Sequence, residues 1–203
     1  MKKYIAVLLL LVFCVVMSSC QNLVKLTEEN GKLIDKANGI TYVGAPICFE
    51  PAVLEEEPYA KCSGLKLTLY PIQGQDTSLW LSEVYEGIGG VWYAEESVTL
   101  PTLEEFDADT LYICMEETIT VGIGKITEKA DIDAVVKSFT AGESCAIVQS
   151  GEKYKLKFAS EKYEGIYYNL LYVEGSDGEN YIYDRSTQTC VNVGDVLLEY
   201  MPR

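Results

Sequence analysis

Acidic side chains are the most abundant groups in this sequence that could carry out a reaction. The 203 residues include 31 aspartates and glutamates. A glycoside hydrolase needs two carboxyl groups a few ångströms apart across a cleft. Pairs such as Asp107 with Asp109, or Asp131 with Asp133, offer suitable groups, but the sequence selects none among so many acids. Carboxylate-based hydrolysis of a glycan is therefore one hypothesis, with no catalytic residue assigned.

Histidine is absent from the chain. Its absence excludes Ser-His-Asp and Cys-His catalysis, histidine-ligated zinc and imidazole pH switches. The sequence also lacks the C-x-x-C, calcium-loop and phosphate-loop patterns. We therefore expect no metal and no cofactor, and we favour a binding protein over an enzyme.

Aromatic side chains supply the best candidates for binding. Tyrosine occurs 15 times, and exposed tyrosine and tryptophan rings on a sheet form contact surfaces for sugars, peptides or cell-wall polymers. The candidate binding residues are Trp80, Trp92, Tyr167 and Tyr168. The alternative is that these rings fill strands of a hydrophobic core while the tyrosine hydroxyls reach water.

One basic stripe interrupts this acidic chain. It consists of alternate residues of a predicted strand: Lys153, Lys155 and Lys157. The stripe could receive an anionic group. The alternative is that the lysines face solvent and pair with glutamates across the strand.

Five of the seven cysteines follow residue 20, and an odd number leaves at least one thiol unpaired. Cys48 and Cys62 flank a proline-rich loop and are the one pair that we consider for a disulfide. The other three lie in apolar, strand-like runs, where a thiol is usually a small buried hydrophobic group. They are Cys114, Cys145 and Cys190.

The spacing of apolar residues predicts an α+β fold that is mainly antiparallel sheet. Leucines alternate with polar residues over 65–69, which is the period of a half-buried strand. Over 128–141, apolar residues recur at i, i+3, i+4 and i+7, which predicts one amphipathic helix. Strand-like runs from 153 to 193 predict a C-terminal β-meander. Residues 82–88 and 160–166 match at six of seven positions, through duplication or a shared turn before a strand.

The N-terminus has the pattern of an export signal. Lys2 and Lys3 precede an apolar run over 5–17, which is shorter than the roughly 20 residues that cross a bilayer as a helix. The run is followed by a Ser-Ser-Cys sequence that ends at Cys20 and resembles the lipobox of bacterial lipoproteins. The resemblance implies diacylglycerol on the Cys20 thiol, cleavage before this residue and an anchor in the membrane. An ordinary secreted protein is the alternative.

This signal sets the predicted domain organisation. Residues 1–19 form the signal peptide, and residues 20–39 form a lipidated tether that is partly helical. Residues 40–203 form a single α+β domain, with two halves at 40–100 and 110–203 as the alternative.

The charge of the chain limits its partners. The predicted signal holds two lysines and no acid, so its removal changes the net charge from −15 to −17. Such a surface repels nucleic acid and anionic lipid headgroups, so membrane attachment is expected to be covalent. In a cell with two membranes, Gln21, the residue directly after the lipidated cysteine, is compatible with transfer of the protein to the outer membrane.

Together these features favour a lipid-anchored module on the extracytoplasmic face of the cell membrane. We expect it to bind an unidentified protein or glycan without catalysing a reaction. The alternatives are the carboxylate-based glycan hydrolase and a structural lipoprotein that assembles with other envelope proteins.

Overall fold

The protein is mainly β. A computed structural model describes residues 23–83, 91–115, 121–148 and 150–201. Its strand content is 47%, and the described residues contain two α-helices, of which one spans seven residues or more. The predicted α+β class therefore overestimated the helix content, because nearly all apolar runs follow the two-residue period of strands.

Fifteen strands and two helices follow one another in the described residues. The strands are β1 (Val24–Glu29), β2 (Lys32–Asp35), β3 (Ile40–Gly44), β4 (Phe49–Pro51), β5 (Ala60–Cys62), β6 (Leu67–Pro71), β7 (Trp80–Glu83), β8 (Trp92–Glu95), β9 (Thr110–Met115), β10 (Val121–Ile126), β11 (Ser144–Cys145), β12 (Gly151–Ala159), β13 (Ile166–Gly175), β14 (Asn180–Asp184) and β15 (Thr189–Asn192). The helices are α1 (Leu103–Phe106) and α2 (Lys129–Thr140).

Seven strands close into a barrel in the order β1-β2-β3-β8-β7-β6-β5. Neighbouring strands are antiparallel except β1 and β5, whose parallel pairing closes the barrel. These strands bury one apolar cluster, which fills the interior as in other small barrels. Its buried members are Leu26, Leu33, Tyr42, Ala60, Cys62, Leu69, Leu81 and Tyr93.

The segment that we predicted as a partly helical tether, residues 20–39, instead supplies two strands of this barrel. β1 and β2 form a hairpin, and Asn30 and Gly31 at its turn both have positive φ, 55° and 78°. Asn-Gly favours such a turn because both residues tolerate the left-handed region. Leu26 and Leu33 are buried on one face of the hairpin. The folded region therefore includes β1 and does not begin at residue 40.

A second sheet has the order β10-β9-β12-β13-β14-β15-β11, and all its pairings are antiparallel. β12 to β15 follow one another both in sequence and in space, so the predicted C-terminal meander is confirmed. β4 adds an eighth strand by pairing with the beginning of β13. This pairing brings a short segment of the N-terminal part of the chain onto the second sheet.

One large core cluster joins the two sheets. The predicted helix is confirmed as α2, which buries Ile132 and Val135 in this cluster. Trp80 from the barrel and Tyr168 from the second sheet belong to the same cluster, so side chains from both predicted halves share one core. Among the described residues, no helix combines the length and apolar character that a membrane span requires.

All five cysteines within the described residues carry free thiols. Cys48 belongs to the large core cluster and Cys62 to the barrel cluster, so the pair that we considered for a disulfide is divided between two cores. Cys145, which we expected to be buried, is exposed.

Candidate binding site

Three of the four candidate binding residues lie in the core or against it. Trp80 and Tyr168 are 5% and 7% exposed, and their ring centroids lie 6.1 and 5.1 Å from that of Phe49. Trp92 packs partly buried against the same cluster, and its indole Nε1 donates a hydrogen bond to the Pro46 carbonyl oxygen at 3.0 Å. These three rings stabilise the fold and do not form a common surface.

The fourth candidate, Tyr167, lies on the opposite face of β13 because side chains alternate along a strand. We call this side of the second sheet, which faces away from the large core cluster, the outer face. Its ring meets Tyr112 of β9 edge to face, with centroids 5.9 Å apart and planes at 74°. The ammonium of Lys157 lies 5.2 Å from the Tyr167 centroid, and that of Lys125 lies 5.5 Å from the Tyr112 centroid. Attraction between each cation and the electron-rich ring face helps to orient both rings.

A glutamate from β4 joins two lysines of the basic stripe on this outer face. Glu50 Oε1 accepts a hydrogen bond from Lys157 Nζ at 2.7 Å, and Oε2 accepts one from Lys155 Nζ at 3.1 Å. Asn169 Nδ2 also donates to Oε2, at 2.8 Å. The three charged side chains are 13 to 22% exposed, so water and salt screen their attraction only in part.

These contacts agree with one of the two expectations for the lysine stripe, pairing with a glutamate. The partner differs from the expected one, however. Asn169 and Leu171 lie directly across from the two lysines on β13, and Glu50 comes from β4 on the far side of that strand.

Opposing effects act on the pKa of Glu50. Burial disfavours its carboxylate, whereas the hydrogen bond and charge of Lys157, and then those of Lys155, favour it. The lysines outweigh burial and hold the pKa of Glu50 below its ordinary value of 4.5. Glu50 is therefore ionised at neutral pH, and it keeps Lys157 beside the Tyr167 ring.

An open pocket of about 520 Å³ borders the tyrosine pair. Its volume falls within the range of small-molecule sites, about 300–1,000 Å³. The pocket lies where β9 begins, β12 ends and β13 begins. The residues that line it include three tyrosines and three acidic residues: Tyr112, Tyr163, Tyr167, Asp109, Glu161 and Glu164.

Residues 160–165 form one wall of the pocket, and hydrogen bonds hold this loop to the residues that precede β9. The Glu161 backbone N–H donates to Asp109 Oδ2 at 2.7 Å. Lys162 Nζ donates to Asp107 Oδ2, also at 2.7 Å. The loop is thereby tied to the end of α1.

The same loop is also held against the core and against the segments that follow β4 and β6. The Tyr163 ring stacks on Phe106, with centroids 5.0 Å apart and planes at 9°. The Ala52 N–H donates to the Gly165 carbonyl oxygen at 2.7 Å. At Gly165, φ is +81°, and a Cβ there would lie 2.0 Å from the Gln73 carbonyl oxygen. The wall is therefore built into the fold, and glycine is needed where the loop passes the backbone of Gln73, in the connection between β6 and β7.

The outer face offers little support for thiol or metal chemistry. Cys114 lies directly across from Lys155 on this face, but burial raises its thiol pKa above the ordinary value of 9.0. The thiolate is the nucleophilic form, so the raised pKa lowers its reactivity at neutral pH. Within the described ranges, no group of three or more cysteine, aspartate or glutamate side chains is arranged to hold a metal ion.

Sequence reasoning missed Tyr112 and Glu50 of the outer face, as well as Tyr163, Glu161 and Glu164 of the pocket. Tyr112 stands in a run that indicated only a strand, and Glu50 stands in a proline-rich segment where an acid is usually solvated. The alternating lysines were the usable signal for the outer face. The repeated motif also bears on the pocket, because its copy at 160–166 forms the wall. Residues 84–88 of the other copy lie outside the described residues.

Cys20, the predicted lipidation site, lies outside the described residues as well. Comparison with known proteins gave no match: no protein-family model, no curated protein and no solved structure matches the chain. The chemistry of the outer face and its pocket is therefore the available guide to function.

Proposed function

We propose that the protein is a membrane-anchored, extracytoplasmic binding module whose ligand is a glycan. The observation that carries this proposal is the pocket of about 520 Å³ beside Tyr112 and Tyr167, whose rings meet edge to face. A sugar ring presents C–H groups to an aromatic surface and hydroxyl groups to polar walls. Tyrosine suits such a ligand because it combines a rigid apolar ring with a hydroxyl group.

The acidic wall narrows the class of sugar. Asp109, Glu161 and Glu164 offer carboxylate oxygens, which accept hydrogen bonds from hydroxyl or amino groups when ionised. The same carboxylates, on a chain with net charge −15, repel an anionic ligand. Neutral or amino sugars are therefore the expected ligands.

The outer-face network favours binding by fixing the site in advance. Glu50 holds Lys157, and Lys157 in turn lies over the Tyr167 ring. The wall at residues 160–165 is held by its own hydrogen bonds. A site that is ordered before the ligand arrives loses less conformational entropy on binding.

The replacement Tyr167→Ala is expected to weaken sugar binding at least about tenfold, because it removes one ring of the pair. The measurement is isothermal titration calorimetry with a neutral N-acetylated oligosaccharide and with its deacetylated, cationic form. The matched control is Tyr183→Ala. Tyr183 is a half-buried tyrosine of β14 whose hydroxyl donates to Gln188 Oε1 at 2.7 Å, and it is not part of the pocket wall. Equal loss in both variants would contradict the pocket assignment.

The membrane location is part of the same proposal. A diacylglycerol on Cys20 supplies two acyl chains, which hold a protein stably at about 0.8 kcal/mol per buried methylene. The acidic chain gains no attraction from anionic headgroups, so the lipid supplies the attachment. This anchor keeps the glycan site at the outer face of the cell membrane, or at the outer membrane of a two-membrane cell.

The replacement Cys20→Ala is expected to abolish lipid labelling and to move the protein from the membrane fraction to the medium or periplasm. Metabolic labelling with a radioactive fatty acid, followed by fractionation, measures both effects. The variant Cys145→Ala, which also loses a cysteine of the chain, serves as the control and keeps the label. A Cys20→Ala protein that still sediments with membranes would overturn the lipid anchor.

Hydrolysis of the bound glycan is a second candidate function. The observation that favours it is the presence of Asp109, Glu161 and Glu164 in a tyrosine-lined pocket, since glycosidases use two carboxyl groups. Incubation with the same oligosaccharides and analysis of the products by mass spectrometry distinguishes the two functions. Shortened products that form with the unsubstituted protein, but not with Glu161→Gln, would show that the protein is a hydrolase and not only a binding module.

A further inference from the structure

Two cysteines lie directly opposite each other at one edge of the second sheet. Cys145 of β11 is the antiparallel partner of Cys190 of β15. Directly opposed residues of an antiparallel pair have Cα atoms about 4.5–5.5 Å apart and point to the same face. A disulfide spans Cα distances of about 4.4–6.8 Å, so this register suits a bond without movement of the strands.

The local fold brings these two thiols together. The chain leaves α2, turns at Gly142 and returns beside β15, where a Cβ on Gly142 would lie 2.2 Å from Val191 Cγ1. Only a residue without a side chain allows this close passage. Cys145 is exposed, whereas Cys190 is buried in a small cluster with Val173.

We propose that Cys145 and Cys190 form a redox-active pair that closes to a disulfide when a small disulfide compound such as oxidised glutathione is present. The exposed Cys145 thiolate attacks the oxidant, forms a mixed disulfide and releases one glutathione thiol. The Cys190 sulfur then attacks the Cys145 sulfur and releases the second. Two protein thiols lose two electrons and two protons, and the oxidant gains them as two thiols.

The roles of the two cysteines follow from their surroundings. Cys145 is exposed and is the first thiol that a dissolved oxidant meets, whereas burial shields Cys190 and raises the pKa of its thiol. The two residues are direct partners in the strand register, which places the second sulfur for attack on the mixed disulfide. Cys48, Cys62 and Cys114 are buried, so a dissolved oxidant reaches them poorly.

Closure would fix a segment that is otherwise held weakly. β11 is an edge strand of two residues. A disulfide would tie it to β15 and hold residues 142–148 over the small cluster around Cys190. Because the bond closes a loop of more than 40 residues, oxidation is expected to raise the melting temperature by about 5 to 10 °C.

Peptide mapping tests the bond directly. The full-length chain in detergent is treated with oxidised glutathione, alkylated and digested with trypsin without reduction. Trypsin places Cys145 in the peptide 138–153 and Cys190 in the peptide 186–203, and neither peptide contains another cysteine. The expected product is the two peptides joined, lighter than their sum by two hydrogen atoms, together with the rise in melting temperature.

Two variants assign the steps. Cys190→Ser is expected to accumulate glutathione on Cys145 at least about tenfold over the unsubstituted chain, because the second attack is lost. Cys145→Ser, at an exposed position, is expected to fold normally and to lose both the linked peptides and the change in melting temperature. Glutathione that persists on Cys145 of the unsubstituted chain, or linked peptides that join two copies of residue 145, would overturn the proposal.

Discussion

Gly165→Ala is expected to destabilise the protein by about 3 kcal/mol or more. Two features of the position act together. The backbone at Gly165 has φ of +81°, a conformation that a side chain disfavours. The added Cβ would lie 2.0 Å from the Gln73 carbonyl oxygen, a backbone atom of the connection between β6 and β7. The loop 160–165 or the segment around residue 73 therefore has to move.

Gly178→Ala is the matched control for this effect. Gly178 has nearly the same backbone angle, φ of +87°, but no atom lies within 4 Å of its added Cβ. Its expected cost is the backbone penalty alone, about 1 to 2 kcal/mol. The free energy of unfolding of each variant is measured by urea denaturation with fluorescence detection. Equal losses in the two variants would show that the loop does not press against the backbone at residue 73.

Glu50→Gln is expected to lower stability at neutral pH by about 2 to 3 kcal/mol, less than for a fully buried pair because water reaches part of the network. The amide leaves Lys155 and Lys157 without a carboxylate in a site where these side chains are 18% and 13% exposed. It also offers only one acceptor oxygen where the carboxylate accepts three hydrogen bonds.

The pH dependence of this effect has a definite sign. The pKa of Glu50 is lower in the folded protein than its ordinary value of 4.5, so ionisation of Glu50 stabilises the fold above that pH. The stabilisation is lost as the pH falls below 4.5 and through the folded-state pKa. The difference in unfolding free energy between the unsubstituted protein and Glu50→Gln is therefore expected to shrink over the same interval.

Glu29→Gln is the control for Glu50→Gln. Glu29 Oε1 lies 2.7 Å from Lys36 Nζ, the same separation as between Glu50 and Lys157, but the two side chains are 49% and 64% exposed. An exposed pair of this kind contributes less than about 1 kcal/mol. A Glu50→Gln variant that loses no more stability than Glu29→Gln would contradict the role assigned to the outer-face network.

Local periodicity was sufficient to predict α2 and the meander of β12 to β15. In α2, Ile132 and Val135 lie one turn apart, and burial of such a stripe requires only a neighbouring sheet. The same reasoning failed for residues 24–35, where charged residues outnumber apolar ones. There the Asn30-Gly31 turn was the decisive signal, because it pairs two strands whose buried apolar residues are only Leu26 and Leu33.

The candidate site could be predicted only in part. Strand alternation places Tyr167 and Tyr168 on opposite faces, but a single sequence does not say which face is covered. In the structure, Tyr168 is buried in the core and Tyr167 lies beside the pocket. Glu50 could not be assigned to the lysines because β4 is far from β12 in the chain. Their meeting depends on the pairing of β4 with β13.

The most direct test of glycan binding uses nuclear magnetic resonance with carbon-13 labels on the tyrosine rings. The oligosaccharide that binds in calorimetry is titrated into the labelled protein, and ring signals are assigned by single tyrosine-to-phenylalanine replacements. The expected result is a saturable shift at Tyr112, Tyr163 and Tyr167, with Tyr59 and Tyr183 unchanged. Shifts that are absent from the three pocket tyrosines, or that appear only at the two distant ones, would contradict the proposed site.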